Sequence, residues 1–538
     1  MKADARTEVD SASRGIPRIE RRGVAQQLIV DGKPYLVLGG ELHNSSTSSP
    51  AYMAPVWDRL EAAGLRSVIG AATWQIVEPE EGRFDFDAVD DQILQARARG
   101  IRLVLLWFGG YKNADSAYAP SWVRRDESRF PRAERDETSP LSGRFSLDGP
   151  ILSVFSEELV QADAAAFAAL MQHIKDVDPD HTVVAVQVQN EVGLLGDSRD
   201  RSPLAEAAWR GAVPAELLKG LASRSNDLRP WMRDLWARSG SQLSGTWAEV
   251  FGADREAEEV FMSWAFSRYV ERVAAAGVDS YPLPVYTNAW LGPQPGAESP
   301  GQYPSGGPVS RMHDVWRIGA PTLSLLAPDI YVPDFDGTLE QFADDGNPIF
   351  IPEAIPDAGN AFVALGRFKA LGFNPFGIED LPKDHEVFRA FFVLGELTEF
   401  ITTAQAADRI HGFRISTGEQ QRVQIADFDV TITGARDTYG LFGTGTGAAA
   451  DKLVGYGLIL QTGDDEFMVV ARHVSVAFSR TDSIVEVDAL HEGTYTNGEW
   501  MPLRVLNGDE RYFAFQSNDL RVVRYSLLRR SQSGASAG

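Results

Sequence analysis

Two glutamates stand where a sequence could do chemistry. Glu191 ends the stretch Val183-Val-Ala-Val-Gln-Val-Gln-Asn-Glu191, and Glu353 ends the shorter Pro348-Ile-Phe-Ile-Pro-Glu353. In the first, Val184, Val186 and Val188 alternate with Ala185, Gln187 and Gln189, a period of two that reads as a strand. A carboxylate at the tip of a buried strand is costly unless it is paired, solvated or used. In parallel α/β folds that tip is where chemistry collects. Two such carboxylates facing one sugar would suffice for glycoside hydrolysis, one as acid/base and the other as nucleophile. The acid has to keep its proton, through burial or a neighbouring anion, whereas the nucleophile has to stay charged and needs donors. A structural salt bridge to arginine accounts for a glutamate at one strand tip as well as catalysis does, but less well for two.

Other residues fit the same chemistry, each beside a plainer role. Asn190 could donate to the sugar hydroxyl next to the reacting carbon, or serve as a turn residue. His43 could touch substrate or hydrogen-bond within its loop. Trp74, Trp107, Phe108, Tyr111, Trp122, Trp290 and Tyr331 fall at or beyond strand ends and offer faces for sugar C–H groups; core packing is the commoner fate of any one of them. The eight histidines show no metal-ligand spacing, so neither a metal site nor a cofactor is expected. Gly443-Thr-Gly-Thr-Gly-Ala448 resembles a dinucleotide fingerprint but lacks the βαβ unit after it and reads as a hairpin loop. Gly534-Ala-Ser-Ala-Gly538 matches a nucleophile elbow by coincidence, in a tail with no strand to strain.

The elements that must position these residues alternate regularly. Strands are predicted at Tyr35–His43, Ser67–Ala71, Ile101–Trp107, Val183–Gln189, Leu283–Asn288, Ser324–Tyr331, up to Glu353, and Phe373–Gly377, with helical sequence after each. Eight such repeats predict an α/β fold, a (β/α)8 TIM barrel over residues 26–404, with Glu191 ending strand four and Glu353 strand seven. An insertion at about 196–256 is longer than a loop should be and predicts a helical subdomain over one rim. The Gly/Pro/Ser-rich stretch 292–308 reads as a loop, ordered or flexible. Residues 1–25 read as an N-terminal arm, 405–530 as a C-terminal all-β sandwich or barrel, and 531–538 as a disordered tail. Its strands are predicted at Val423–Thr433, Gly455–Thr462, Glu466–Ala471, Val474–Ser479, Ser483–Val487 and Arg511–Gln516.

At 538 residues the chain predicts two or three domains, and 44% hydrophobic with 23% charged residues is a globular composition. A net charge of −24 argues against nucleic-acid partners and anionic membranes. No apolar run is long enough to span a bilayer. Met1 to Arg22 lacks the apolar core of a leader, which leaves the compartment open between cytoplasm and periplasm or secretion. The absence of cysteine excludes disulfides and thiolate chemistry.

Several stretches together resemble the family-35 β-galactosidases. They are Gly39-Gly-Glu-Leu-His43, Trp57, Leu60-Glu-Ala-Ala-Gly64, and Trp74-Gln-Ile-Val-Glu-Pro-Glu-Glu-Gly-Arg-Phe-Asp-Phe86. The last pattern is shared with family 42. Leu106-Trp-Phe-Gly-Gly-Tyr-Lys-Asn113, Tyr118-Ala-Pro-Ser-Trp122, Gly245-Thr-Trp-Ala-Glu-Val-Phe-Gly252, Tyr286-Thr-Asn-Ala-Trp290 and Leu326-Ala-Pro-Asp-Ile-Tyr331 resemble a bacterial branch of that group, which also carries a β-rich C-terminal domain. The resemblance implies a retaining, exo-acting β-galactosidase with Glu191 as acid/base and Glu353 as nucleophile. Substrate-binding candidates are then Asn190, His43, Gln75, Trp107, Asn113, Asn288, Trp290 and Tyr331, and the partner is a β-galactoside, with a homo-oligomer left open. The chain departs from the pattern at Ala71, where a tyrosine is usual, at Gln75 in place of asparagine, and in lacking Cys-Ala-Glu-Trp after strand three. Two alternatives are another β-glycosidase or endo-glycanase on the same barrel (β-glucosidase, xylanase or mannanase) and a non-catalytic carbohydrate-binding protein acting through its β domain. For the exo-acting reading, the insertion and the 292–308 loop are expected to narrow the cleft.

Overall fold

The structure is a computed structural model that describes residues 15–136, 151–435, 454–512 and 514–531. The glycine-rich stretches Gly443–Ala448 and Gly534–Gly538 lie outside the described residues.

Val37–Leu38, Ser67–Thr73, Arg102–Lys112, Val183–Asn190, Val285–Trp290, Leu325–Ile330, Ile351–Ala354 and Gly372–Pro375 form one parallel sheet of eight strands, the eighth pairing with the first. The ring closes where Gly40–Leu42 runs beside the second strand: Ile69 N–H donates to Gly40 O (2.9 Å) and Leu42 N–H to Ile69 O (3.0 Å). This is the (β/α)8 barrel that the repeats predict. Parallel strands in a barrel are buried on both faces, and the third shows how its residues are shared out. Val104, Leu106 and Phe108 fill the barrel interior, while Leu103, Leu105 and Trp107 face the helical layer.

The chain differs from the sequence reading at its start. Lys33–Tyr35 leaves the barrel and pairs antiparallel with Ala25–Val30, which pairs in turn with Arg18–Arg22 inside the segment read as an arm. The alternation of Ala25-Gln-Gln-Leu-Ile-Val30 explains this, because Leu28 and Val30 join the cluster that fills the barrel interior. The first barrel strand is correspondingly short. The insertion holds four short helices, Pro203–Arg210, Ala215–Ser223, Pro230–Ala237 and Trp247–Phe251, followed by the long helix Arg255–Ser280. The 292–308 loop is ordered, tied to the segment after Glu191 by paired Leu194 and Ser305 backbone bonds, each 2.9 Å.

In the C-terminal domain Ile410–Ser416, Val454–Gly463, Glu466–Arg472, Arg521–Ser531, Ser483–Thr496 and Glu499–Leu506 make a six-stranded antiparallel sheet in that spatial order. Gln420–Ile425, Phe428–Gly434 and Val474–Ser479 make a three-stranded one. The single strand read over Val423–Thr433 is therefore two, split at Ala426, whose φ of 50° makes the turn. Among the described residues of the strand read over Arg511–Gln516, Arg511 ends the 3-10 turn Gly508–Arg511 and Phe515 makes an isolated antiparallel bridge to Val474. The middles of strands Val454–Gly463 and Glu466–Arg472 are buried on both faces. Tyr456, Leu458 and Leu460 pack toward the barrel, and Ile459, Val469 and Val523 pack into the sandwich with Phe428 and Phe467.

The two units meet at a backbone-to-backbone approach between helix Ala358–Arg367 and strand Ile410–Ser416. A Cβ on Gly412 would stand 1.8 Å from Phe362 O, and one on Gly366 would stand 2.1 Å from Gly412 N. Neither atom belongs to a side chain that can swing away. Gly412→Ala is expected to lower stability by about 1–3 kcal/mol, the usual cost of overpacking, read as a falling denaturation midpoint. An unchanged midpoint would show that the approach is looser than drawn.

Candidate active site

Strand four delivers its tip through two backbone turns that side chains dislike. Gln189 has φ 62° and Glu191 φ 46°, both left-handed, on either side of Asn190. Such residues cost about 1–3 kcal/mol each and persist only where the surroundings dictate them. Here the surroundings are polar. Asp163, on the helix Glu157–Val177, is fully buried and accepts from Trp107 Nε1 (2.7 Å), Gly110 N (2.8 Å), Gln189 Nε2 (2.8 Å) and Tyr269 Oη (2.7 Å). Gln189 Oε1 accepts Tyr111 N–H (2.9 Å), and the register between strands three and four slips between Trp107 and Lys112. The slip lets strand three run on to Lys112 and lets the fourth strand turn Asn190 and Glu191 inward.

The two glutamates foreseen as a pair do meet. Oxygens of Glu191, Glu353 and a third acid, Asp329, all lie within 4.8 Å of one another. Glu353 is surrounded by donors: Oε1 accepts from Asn190 Nδ2 (3.1 Å) and Asn288 Nδ2 (3.4 Å), and Oε2 accepts from Tyr331 Oη (2.9 Å). Glu191 has no such cover. Its backbone N–H donates to Asn288 Oδ1 (2.9 Å), and its carboxyl meets that of Asp329. Burial and then the charge of Glu353 raise its pKa to about 7, partly offset by Lys112 and by the bond to Asp329. The geometry therefore provides one acid that holds a proton near neutrality and one carboxylate held by three donors. This trio is, among the described residues, the group close enough to chelate a cation. Amide and phenol donors already engage the oxygens of Glu353, an arrangement that suits an anion rather than a metal ligand.

The remaining candidates divide. Asn190 bridges Lys112 Nζ (2.7 Å) and Glu353, and Asn288 bridges Glu191, Asp329 and Glu353. Both asparagines hold the acids in place. Tyr331 reaches Glu353 from a half-exposed position. Asn113 sits beside the pair, its N–H on Asn190 O (3.1 Å) and its buried Oδ1 without a partner. Trp290 ends strand five opposite Asp329 and is partly exposed. Gln75 lies on the one-turn helix Trp74–Val77, with its N–H on Tyr118 O (3.0 Å). His43 stands to one side, with Nε2 on Asp380 Oδ2 (2.7 Å) and its ring edge-on to Phe376.

Trp107 is a correction. It points out of the barrel into the helical layer, fully buried, with its indole N–H on Asp163, so it cannot line a cleft. The parity of strand three decides this, since Trp107 is in register with the outward Leu103 and Leu105. Trp74, at the start of its one-turn helix, is also core, with its indole N–H on Glu78 and its ring edge-on to Trp122.

Three residues escaped the sequence reading. Asp329 sits near the end of the sixth strand, two positions before Tyr331, Lys112 ends the third strand, and Glu41 lies at the tip of the first. Glu41 is fully buried with neither carboxyl oxygen hydrogen-bonded, and burial followed by the charge of Glu353 raises its pKa well above the carboxylate range. The signal that could reveal them is the one at Glu191, a charged residue closing an apolar strand.

Comparison with known proteins finds two family models that match parts of the chain. Residues 53–252 match the glycoside hydrolase 42 model, described as Beta-galactosidase, and residues 387–516 match a domain of unknown function, DUF5597. The matched model is that of family 42, the group that shares the Trp74–Phe86 pattern, rather than of family 35. A β-galactosidase of Xanthomonas manihotis is 29% identical over 181 residues, which is 32% of this chain and 26% of that protein. One from Thermus thermophilus is 26% identical over 196 residues, 36% of this chain and 26% of the relative. The chain thus aligns with about a quarter of the length of these relatives. The crystal structure of a Bacillus circulans β-galactosidase superposes with a TM-score of 0.45 at 15% identity, over 69% of this chain and 57% of that one.

Because the charge of Glu353 is the largest cause after burial, Glu353→Gln is expected to lower the Glu191 titration below its midpoint of about 7. Infrared difference titration against Glu191→Gln would follow the carboxyl band in each background. A midpoint that does not move when Glu353 is neutralised would show that the two acids are not coupled.

Proposed function

We propose that the chain is a retaining β-galactosidase, with Glu353 as nucleophile and Glu191 as acid/base. The observation that carries this is the meeting of a proton-holding Glu191 and a donor-ringed Glu353 within 4.8 Å. Retaining enzymes keep their carboxyls roughly 5–5.5 Å apart, whereas inverting ones leave roughly 6.5–9.5 Å for a water. The close pair supports retention, and neither glutamate is paired with an arginine in the salt bridges of the described residues.

In the first half, Glu353 attacks the anomeric carbon as the bond to the leaving oxygen breaks, and Glu191 gives its proton to that oxygen. Asn190, Asn288 and Tyr331 keep the attacking carboxylate aimed while it is free. Forming the glycosyl ester removes the charge of Glu353, and with it the interaction that holds the Glu191 proton. Glu191 is then a base at the same pH. It takes a proton from water, the water attacks the anomeric carbon, and the ester to Glu353 breaks with net retention. Galactose as the sugar is supported by the family-42 match, by the β-galactosidases among the relatives, and by the family-35 motifs around Gly39–His43 and Trp74–Phe86.

A panel of aryl β-glycosides tests the reading. The galactoside is expected to be cleaved fastest, with β-galactose as the first-formed anomer. Glu353→Gln should abolish turnover. Glu191→Ala should cost about 10²–10⁴-fold with poor leaving groups and much less with good ones. For the wild type, kcat/KM on poor leaving groups should fall as pH rises through about 7, where Glu191 gives up its proton. Full activity of Glu191→Ala on poor leaving groups would remove it as the acid.

A further inference from the structure

We propose that Asp329 works as a neutral carboxylic acid, its proton donated to the Glu191 carboxyl, and so positions the acid/base. This rests on the reading of Glu191 given above, since Asp329 acts through it.

Asp329 stands on the sixth barrel strand in register with Glu353 and is 2% exposed. Its Oδ2 accepts from Asn288 Nδ2 (2.7 Å), while its Oδ1 is buried with no partner. Its carboxyl meets that of Glu191. Two ionised carboxylates in contact repel each other and have no hydrogen to share, so one of them must carry a proton. The donor count shows which groups can stay charged. Glu353 has three donors, Asp329 has one, and the Glu191 carboxyl meets none but Asp329, so whenever Glu191 is charged its hydrogen bond has to come from a proton on Asp329. No arginine or lysine pairs with Asp329 in the salt bridges of the described residues, and Lys112 spends a hydrogen bond on Asn190.

The groups facing it from the neighbouring strands point the same way. Glu353, Glu191 and Glu41 surround it with three more acids, against the ammonium of Lys112. The hydroxyl of Tyr286 has no hydrogen-bond partner, and that of Tyr331 is committed to Glu353. Burial, followed by these three acids, raises the Asp329 pKa well above the carboxylate range. A proton on Asp329 gives the orphaned oxygen a bond to make. A buried acid in apolar or anionic surroundings can remain neutral at neutral pH in this way and serve as a donor.

Neutrality also matters to the cycle. An ionised Asp329 would go on holding the Glu191 proton after the charge of Glu353 had been used in the glycosyl ester, and the base step would stall. A neutral donor leaves Glu353 as the switch. It fixes the Glu191 carboxyl in place and favours its anionic form slightly.

Two substitutions separate this from the alternatives. In Asp329→Asn the amide oxygen can take the Asn288 bond and the NH2 can donate to Glu191, so the neutral donor survives. Its kcat/KM on a poor-leaving-group aryl β-galactoside should stay within about tenfold of wild type, with the alkaline limb of the pH profile little moved. Asp329→Leu has no donor, and it should lose about 10²–10⁴-fold on that substrate, lose less on a dinitrophenyl galactoside, and move the alkaline limb upward. Folded Asp329→Asn that falls as far as Asp329→Leu would overturn the proposal, because the charge of Asp329 would then be what counts. Should Asp329→Leu fail to fold, the asparagine variant still decides. An infrared difference spectrum, wild type minus Asp329→Asn at neutral pH, should contain the C=O stretch of a protonated carboxyl; finding carboxylate bands in its place would equally overturn the proposal. If the wild type cleaves no β-glycoside, it is the acid/base reading that has failed, and the infrared spectrum still reports whether Asp329 is protonated.

Discussion

The end of the barrel holds more carboxyls than it can ionise. Glu41, Glu191, Asp329 and Glu353 converge on one buried space, with Lys112 as the one ammonium acting on the first three. Like charges at such distances in a medium poorer than water cannot all persist, so protons have to be retained on some of them. Which groups retain them is set by the hydrogen-bond donors. Glu353 collects Asn190, Asn288 and Tyr331, so it is the one that stays an anion with least strain. Glu191 and Asp329 share what remains, and at Glu41, where neither carboxyl oxygen is hydrogen-bonded, burial raises the pKa well above the carboxylate range.

That distribution depends on backbone work done elsewhere. The left-handed residues Gln189 and Glu191 turn the strand tip inward, and they are kept there by Asp163, which ties strands three and four to helix Glu157–Val177 from behind. The first strand makes a comparable concession. Gly39 lies where a Cβ would be 2.0 Å from Ser67 O, and Gly40 where one would be 2.3 Å from Ile378 Cβ. The Gly-Gly pair ahead of Glu41 therefore lets the first strand close against its neighbours and bring its acid under the other three.

How much of this a sequence discloses follows from the range of each signal. Period-two alternation is local, so the barrel strands and the Glu191 and Glu353 tips were legible. Strand ends were less so: the third strand runs on to Lys112 because its partner slips in register, which no single-strand pattern encodes. Trp107 lies at the end of the strand read over Ile101–Trp107, where a cleft residue is expected, but parity turns it outward; two residues back in register lies Leu105, already facing the helices. In the β domain, Val423–Thr433 looked continuous because the turn at Ala426 uses alanine and aspartate, without the glycine or asparagine that usually marks a left-handed turn.

Asp329 and Glu41 were illegible for a different reason. A lone acid on a strand reads as a salt bridge or a solvated tip, and only the ring closure shows that four of them face one another. The same closure explains the asparagines. Read alone, Asn190 suits a sugar hydroxyl; in the folded chain its amide joins Lys112 to Glu353, and Asn288 joins Glu191, Asp329 and Glu353. Each asparagine offers both a donor and an acceptor and carries no charge, which is what a crowded set of acids needs between its members. An aspartate at either position would add a fifth carboxyl and remove the donor on Glu353, and a leucine would leave that carboxylate under-bonded. The specificity of the site for charge is thus set by neutral amides, and the acids take their roles from them.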